Sequence, residues 1–302
     1  MCTMNIIILL LCFIWGSNWV AMKVSVDLFP PVMFSALRFV MASFVLMAIV
    51  WYKRIPLPRK EDWKWYALCG LLQTTLPFVT NQLALQYNGA GITSVMAFTM
   101  PFWLLILVHF MLNERITLPK LLGLGIGFVG LIMVMDINLL EMNWTGITLI
   151  MNLVALSGAM AWAMANAVVK KYLAQHDMLQ LTAWQMVIGT MGLLFYSLVF
   201  EQGQSITWNL TALACLLYSG VLASAIGFLI WTYILSKGAH MKASVSLLFV
   251  PVIGSLCGWL FLDEILKPIS IVGIIFVAAG IGIVNMKWNR AKVKPTKREV
   301  SA

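Results

Sequence analysis

Apolar residues dominate the chain in long runs separated by short polar segments. The runs lie near 5–22, 31–51, 65–87, 90–112, 118–135, 145–169, 180–200, 209–235, 242–262 and 268–286. A bilayer core needs roughly 20 apolar residues per helix. The segments between the runs are all about a dozen residues or shorter, within the usual range for connections. The pattern therefore predicts an all-α integral membrane protein with ten transmembrane helices.

Composition supports this class and excludes others. Hydrophobic residues make up 62% of the chain and charged residues 10%, a balance that a water-soluble globule does not have. The short connections leave no room for a soluble catalytic or nucleic-acid-binding domain. The first run has no Lys or Arg ahead of it and no small-x-small site before Lys23, so it is interpreted as a retained helix and not as a signal peptide.

The net charge of +9 predicts the topology. If the N-terminus is inside the cell, every Lys and Arg except Lys23, Arg38 and Lys267 falls in an inner segment. Positive charge marks the cytoplasmic side of short loops. We therefore expect a multi-pass protein of the plasma (inner) membrane with both termini in the cytoplasm and a basic tail, 289–302, against anionic lipid.

The chain contains an internal repeat. At an offset of 150, Pro101 falls on Pro251, Glu114 on Glu264, Gly123 on Gly273 and Gly130 on Gly280; at an offset of 147, Trp15 falls on Trp162 and Lys23 on Lys170. The repeats are predicted to be 1–138 and 139–288, with five helices each. Because five is odd, the second repeat must insert upside down, an arrangement that recurs in secondary transporters.

Three prolines lie well inside the predicted spans, away from their ends, namely Pro77, Pro101 and Pro251. A proline inside a helix removes one backbone hydrogen bond and frees the carbonyl four residues earlier, here Ala97 and Leu247 for the last two. The prolines are interpreted as gating kinks around a midplane cavity. Static packing bends are the alternative.

Polar and aromatic residues inside the spans are candidates to line that cavity, because each polar side chain there is costly unless it faces protein or water. Amides that simply join helices are the alternative. The candidate substrate-binding residues are Trp15, Asn18, Trp19, Arg38, Gln73, Asn81, Trp103, Trp162, Asn166, Gln185 and Ser244.

Arg38 is the one formal charge well inside a predicted span. Burying a guanidinium there costs at least about 2.5 kcal/mol on insertion scales. Two interpretations stay open: a structural latch bound to backbone carbonyls or amides, and an anchor for a substrate carboxylate.

In this order and repetition, the residues resemble the EamA branch of the drug/metabolite transporter superfamily. The resemblance rests on Trp15-Gly16, Arg38 in "SALRFVMAS", Pro101, Glu114, Gly123 and Gly130, with their echoes in the second half. It implies a ten-helix carrier that exports small metabolites, often amino acids, through a central cavity between the halves.

Other functions have less support. The five cysteines fit no metal spacing, so no metal or cofactor is expected. An enzyme needs a nucleophile with a base, and His109 is the only in-span histidine, without an in-span carboxylate to orient it. A channel-like pore or a lipid or drug flippase remains the alternative function. The expected partners are a small-molecule substrate and membrane lipid, without nucleic acid, and the expected assembly is a monomer or weak homodimer.

Overall fold

The computed structural model describes residues 2–87, 93, 96–113, 116–134, 146–238, 240–261 and 267–285, and every element in those ranges is helical. The paired Glu114 and Glu264 of the repeat and the basic tail 289–302 lie outside the described residues.

The chain folds as a series of helices joined by short connections. The α-helices are α1 (Cys2–Ser25), α2 (Pro31–Tyr52), α3 (Trp63–Gly70), α4 (Leu76–Tyr87), α5 (Met100–Leu112), α6 (Leu118–Val134), α7 (Gly146–Tyr172), α8 (Met178–Phe200), α9 (Leu210–Leu217), α10 (Gly227–Ser236), α11 (His240–Ser246), α12 (Phe249–Phe261) and α13 (Pro268–Asn285). Two segments have π-helical bonding: π1 (Leu71–Thr75) joins α3 to α4, and π2 (Tyr218–Ile226) joins α9 to α10.

Among the described residues, six helical stretches are long and apolar enough to cross a membrane. They are Thr3–Ser25, Pro31–Tyr52, Gly146–Tyr172, Met178–Phe200, Leu210–Ser236 and Ala243–Phe261, and shorter apolar helices cover Met100–Leu112, Leu118–Val134 and Pro268–Val284. The prediction of a helical membrane protein is confirmed. The count of ten spans stays a prediction.

The outward faces of the helices carry large apolar side chains. Phe44, Phe110 and Phe195 are 77%, 76% and 69% exposed. Such surfaces are rarely left open to water on a soluble monomer, and hydrocarbon is the solvent that suits them. The bundle therefore presents a lipid-compatible exterior around a core that contains its polar side chains.

Equivalent residues of the two halves meet in the packing. Helices α2 and α8 run antiparallel, and the hydroxyls of Ser43 and Thr190, which are 147 residues apart, lie 3.1 Å from each other. Helices α6 and α13 form the most extensive helix pair. There, a Cβ added at Gly130 would lie 2.7 Å from the Gly273 carbonyl and one added at Gly123 would lie 2.8 Å from the Gly280 carbonyl, two contacts that exchange when the halves are exchanged and that only glycine permits. Contacts between equivalent positions are what a two-fold relation between the halves produces.

Each of the three prolines lies near the start of a helical segment that follows a turn or a π-segment. Pro101 is the second residue of α5, which follows a turn at 98–99, and Pro251 is the third residue of α12, which follows a turn at 247–248. Pro77 is the second residue of α4, directly after π1. At Pro101 and Pro251, proline is tolerated in the first turn after the break, where its missing N–H has no intrahelical partner anyway. Pro77 instead lies in a helical run that continues from α3 through π1 into α4. The Leu247 carbonyl, predicted to be free, accepts from Val250 N at 2.9 Å.

The two π-segments occur at equivalent places in the halves. Leu71, the first residue of π1, falls on Tyr218, the first residue of π2, at the offset of 147. A π-turn changes the backbone bonding from i→i−4 to i→i−5, and such turns are frequent at functional sites. The helices that contain π1 and π2 are therefore the first place to look for a site.

Candidate functional site

Two tryptophans meet where the halves pack together. Trp15 of α1 and Trp162 of α7 are equivalent at the offset of 147, and their ring centroids lie 5.8 Å apart in an edge-to-face arrangement. Trp231 of α10 lies 5.9 Å from Trp15 and 6.2 Å from Trp162, and Phe228 lies 5.5 Å from Trp15. Aromatic pairs at these separations attract each other beyond their area of contact. These four residues are called the aromatic cluster below.

The π2 segment receives side chains from α1. The Trp15 indole Nε1 donates to the Ala223 carbonyl at 2.9 Å, and the Ser219 hydroxyl donates to Asn18 Oδ1 at 2.7 Å. Asn18 is buried. The predicted candidates Trp15 and Asn18 thus bind the same π-helical segment, which fixes the orientation of the Trp15 ring.

Arg38 of α2 reaches the same segment. It is 3% exposed, its Nε donates to Ser224 Oγ at 2.9 Å, and its guanidinium carbon lies 5.0 and 5.1 Å from the ring centroids of Phe39 and Phe78. Phe39 in turn lies 5.8 Å from Phe228, so Arg38 adjoins the aromatic cluster. Within the described residues, Arg38 Nη1 is buried without a hydrogen-bond partner. A buried charged donor left unpaired is costly, so Arg38 Nη1 lacks the acceptor that a buried guanidinium requires.

Gln185 of α8 occupies the position equivalent to Arg38 at the offset of 147. It is fully buried, and neither its Nε2 nor its Oε1 has a hydrogen-bond partner in the part of the chain that the structure describes. Helix α8 packs closely on α3 and π1, where a Cβ added at Gly70 would lie 2.6 Å from the Gln185 carbonyl. Gln73 belongs to π1 and is also buried. The candidates Gln73 and Gln185 are therefore brought to one interface, apart from Arg38.

Two further candidates lie at the contact between α5 and α7. Asn166 of α7 is fully buried, one helical turn beyond Trp162, and its Nδ2 lies 3.9 Å from the sulfur of Met100 in α5. The Trp103 indole of α5 donates to Thr99 Oγ1 at 3.2 Å, a contact within its own helical turn. The structure therefore places Asn166 one turn from Trp162 of the aromatic cluster, and Trp103 on the helix that carries Met100, the contact of Asn166.

The remaining candidates are placed separately. Trp19 packs against Gly254 of α12, where an added Cβ would lie 3.4 Å from its ring. Ser244 of α11 is fully buried. Asn81 of α4 is half-buried, and its Oδ1 has no hydrogen-bond partner among the described residues.

A buried carboxylate joins the halves at one end of α2 and α8. Glu201 directly follows α8 and is 7% exposed; its Oε1 accepts from Val32 N at 2.8 Å, and its Oε2 accepts from Met33 N at 2.8 Å and from Ser197 Oγ at 2.7 Å. The two backbone donors belong to the first turn of α2, which has no side-chain cap of its own. A carboxylate suits the unpaired N–H groups and positive dipole end of a helix. This is called the Glu201 end of the bundle below.

Sequence reasoning missed several of these residues. Trp231 lies inside an apolar run, as Trp15 does, but near the end of the predicted span 209–235, and it was not chosen. Ser224 gave no such signal, because a serine in an apolar helix is unremarkable until its partner is known. Glu201 directly follows the predicted span 180–200, where an acid is ordinary, and only the three-dimensional contact with α2 reveals its burial.

Comparisons with known proteins agree with a duplicated membrane carrier. A family model for the EamA-like transporter family matches residues 3–136 and again 149–286. The transporter YoaV of Bacillus subtilis is 33% identical over 281 residues, covering 93% of this chain and 96% of that protein. A probable amino-acid metabolite efflux pump of Escherichia coli is 24% identical over 298 residues, which cover 95% of this chain and 97% of that protein. One crystal structure has a TM-score of 0.78 with this protein at 16% sequence identity, over 94% of this chain and 96% of the other. This similarity is one of fold.

Proposed function

Because the chain belongs to the EamA-like transporter family, we propose that it is a secondary transporter that exports small metabolites across the plasma membrane by alternating access. The substrates are amino acids or related amphiphilic solutes. One observation carries this substrate class: the buried Arg38 keeps Nη1 unpaired among the described residues, beside the aromatic cluster. The relative named as an amino-acid metabolite efflux pump supports it.

The substrate carboxylate binds Arg38, and the apolar part of the substrate packs on Trp15 and Trp162. Ser224 and the rings of Phe39 and Phe78 hold the guanidinium by Nε and by its face, which leaves the Nη1 edge for a charge-assisted bond. The latch and anchor interpretations are therefore combined: one edge of the guanidinium is latched and the other binds ligand. Gln73, Gln185, Asn18 and the other amide candidates contribute neutral hydrogen bonds along the path.

The architecture we propose is ten transmembrane helices in two inverted repeats, 1–138 and 139–288, followed by the basic tail 289–302. The two family matches and the contact between the equivalent Ser43 and Thr190 support this arrangement. Both termini are cytoplasmic, so the Glu201 end faces outward. Single cysteines at positions 58 and 295 are expected to stay unlabelled by an impermeant reagent in intact cells. Strong labelling at either position would contradict both the topology and the inversion.

Alternating access requires the two ends of the bundle to open in turn. Glu201 closes the outer end by joining α8 to the first turn of α2, and the aromatic cluster closes the centre. Pro77, Pro101 and Pro251 each follow a π-segment or a turn, so these junctions serve as the hinges.

Counterflow in proteoliposomes tests the transport proposal. Vesicles preloaded with an unlabelled amino acid are expected to accumulate the labelled form, with saturation and trans-stimulation. Flux that neither saturates nor responds to the internal solute would indicate a channel, and flux of labelled lipid without solute exchange would indicate a flippase.

Arg38 variants test the site within the same assay. Arg38→Lys keeps the charge without the planar fork, and Arg38→Gln loses both. Both are expected to fold and to lose affinity for amino acids, with less loss for decarboxylated analogues. Equal loss for the acid and the amine analogue would remove Arg38 from carboxylate binding.

A further inference from the structure

A polar cavity lies at the opposite end of the bundle from Glu201, between connections of the two repeats. Its volume is about 680 Å³. One wall is the α2–α3 connection, which includes Lys53, Arg54 and Arg59, and the other is the α7–α8 connection around His176. The first connection belongs to one family match and the second to the other. A ligand in this cavity would contact both repeats.

The three cations of the cavity are exposed side chains at this end of the bundle. Across the ranges that the structure describes, Lys53, Arg54 and Arg59 make no ion pair with a carboxylate. Three cations on one wall without a counter-ion repel one another. The cavity therefore favours an anionic occupant.

Both carboxylates of the cavity are already engaged. Asp62 Oδ2 lies 3.0 Å from His176 Nε2, and Asp177 accepts from Gln180 N at 2.8 Å as the N-cap of α8. Within the described part of the chain, neither carboxylate lies in an ion pair with the three cations, and three cations against two carboxylates leave the lining with a formal excess of one positive charge.

Arg54 is held at the cavity by an unusual backbone. It lies directly beyond the C-terminus of α2 with φ 52°, while Arg54 N donates to the Trp51 carbonyl at 3.0 Å and Ile55 N to the Val50 carbonyl at 3.1 Å. This is a Schellman motif whose left-handed position normally holds glycine. A non-glycine residue with positive φ is uncommon, and such strain collects at functional sites. This backbone geometry belongs to a residue that lines the cavity.

We propose that this cavity binds a phosphate group across the two repeats, with Lys53, Arg54 and Arg59 as its ligands. The phosphate belongs to the headgroup of an anionic phospholipid or to a free phosphate ester. Arginine forks and lysine ammonium groups are the usual partners of phosphate oxygens, and the cavity has room for a headgroup.

Thermal unfolding of the full chain in neutral detergent tests the proposal. The melting temperature is measured against inorganic phosphate at constant ionic strength, and separately against phosphatidylglycerol and phosphatidylcholine in mixed micelles. We expect saturable stabilisation by phosphatidylglycerol and none by phosphatidylcholine. Stabilisation by inorganic phosphate as well would identify a site open to free phosphate esters, and stabilisation by phosphatidylglycerol alone would identify a lipid site.

Charge variants separate a site from a diffuse surface effect. Lys53→Gln with Arg59→Gln is expected to raise the half-saturating concentration by roughly fivefold for each charge removed. Lys60→Gln is the matched control, because Lys60 is an exposed neighbour that does not line the cavity. It is expected to change the half-saturating concentration less than about twofold. Arg59→Lys keeps the charge and is expected to retain binding. An equal loss in Lys60→Gln, or no saturable effect of either phosphate source on the unmodified chain, would overturn the proposal.

Discussion

Arg38 and Gln185 occupy equivalent positions in α2 and α8, yet their surroundings differ. Arg38 donates to Ser224 and lies against two phenylalanine rings, whereas Gln185 has both amide atoms without hydrogen-bond partners in the described part of the chain. At the offset of 147, Ser224 falls on Pro77, which has no hydroxyl to offer the second half. The duplication has kept the helix frame and changed the chemistry, so at this pair of positions the buried charge belongs to one half alone.

The two positions also lie on opposite sides of the Ser43–Thr190 contact. Arg38 is five residues before Ser43, and Gln185 is five residues before Thr190. This spacing is about 7.5 Å along each helix at 1.5 Å per residue, and the two helices run antiparallel. Arg38 is therefore displaced toward the Glu201 end and Gln185 toward the other. A solute that crosses the bundle meets a charged position and a neutral position in turn.

The same asymmetry separates the ends of the bundle. At the offset of 147, Glu201 falls on Arg54, and Asp177, the cap of α8, falls on Pro30. The start of α8 is capped by its own connection, whereas the start of α2 depends on a carboxylate from the other half. The Glu201 end is joined by a buried anion, and the Arg54 end encloses a cavity whose cations are unpaired among the described residues.

The largest expected effect separates Arg38 from Gln185. Arg38→Gln is expected to raise the KM for amino acids by roughly 10- to 100-fold, because a hydrogen bond to a charged group contributes about 1.5–3 kcal/mol. Gln185→Ala removes only neutral groups. It is expected to raise the KM for amino acids less than about tenfold, because a neutral hydrogen bond contributes no more than that. Initial rates of counterflow measure both. Comparable losses in the two variants would mean that the halves share the anchor.

The second prediction breaks the Glu201 end. Glu201→Ala leaves two backbone N–H groups of α2 and the Ser197 hydroxyl without their acceptor, so we expect the free energy of unfolding to fall by about 1–3 kcal/mol. The fall is measured as a lower melting temperature in detergent. Gln202→Ala is the control, because it alters the adjacent exposed residue and is expected to have little effect. An unchanged melting temperature in Glu201→Ala would contradict the role of this contact.

The repeat explains which parts of the site were predictable. Trp15 and Trp162 were recognised because their equivalence is visible in the sequence, and the structure places their rings in contact. The partners Ser224 and Glu201 were not recognised, since each acts through a residue far away in the chain and neither has an unusual local pattern.

Helix placement was predictable to within a few residues because apolar length sets it, but helix continuity was not. The span predicted over 242–262 is divided into α11 and α12 by the turn at 247–248. Proline identifies such a place without indicating whether the chain bends, winds into a π-segment or begins a new helix. The preceding turn and the local packing decide among these outcomes.

The third prediction concerns the strained Arg54. Glycine adopts positive φ without the steric cost that other residues bear, so Arg54→Gly is expected to stabilise the folded chain by up to about 1 kcal/mol. The same variant is expected to weaken phosphate binding, since a cation is lost from the cavity. Melting temperatures with and without phosphatidylglycerol measure both effects. A destabilised variant without added lipid would show that the Arg54 side chain contributes more to folding than its backbone strain costs.

The smallest effect is expected where the halves are most alike. Ser43 and Thr190 are equivalent, buried and 3.1 Å apart, and neither carries a charge. Hydrogen bonds between membrane helices contribute about 0.6 kcal/mol on average, and the Thr190 hydroxyl also reaches the Met186 carbonyl at 2.7 Å. Ser43→Ala, Thr190→Val and the double variant form a cycle whose coupling energy should be near that value, with transport unchanged. A symmetric contact that only holds α2 on α8 is kept in both the inward-open and the outward-open state. A coupling energy several times larger, or a loss of transport in Ser43→Ala, would therefore mean that this contact takes part in the conformational change.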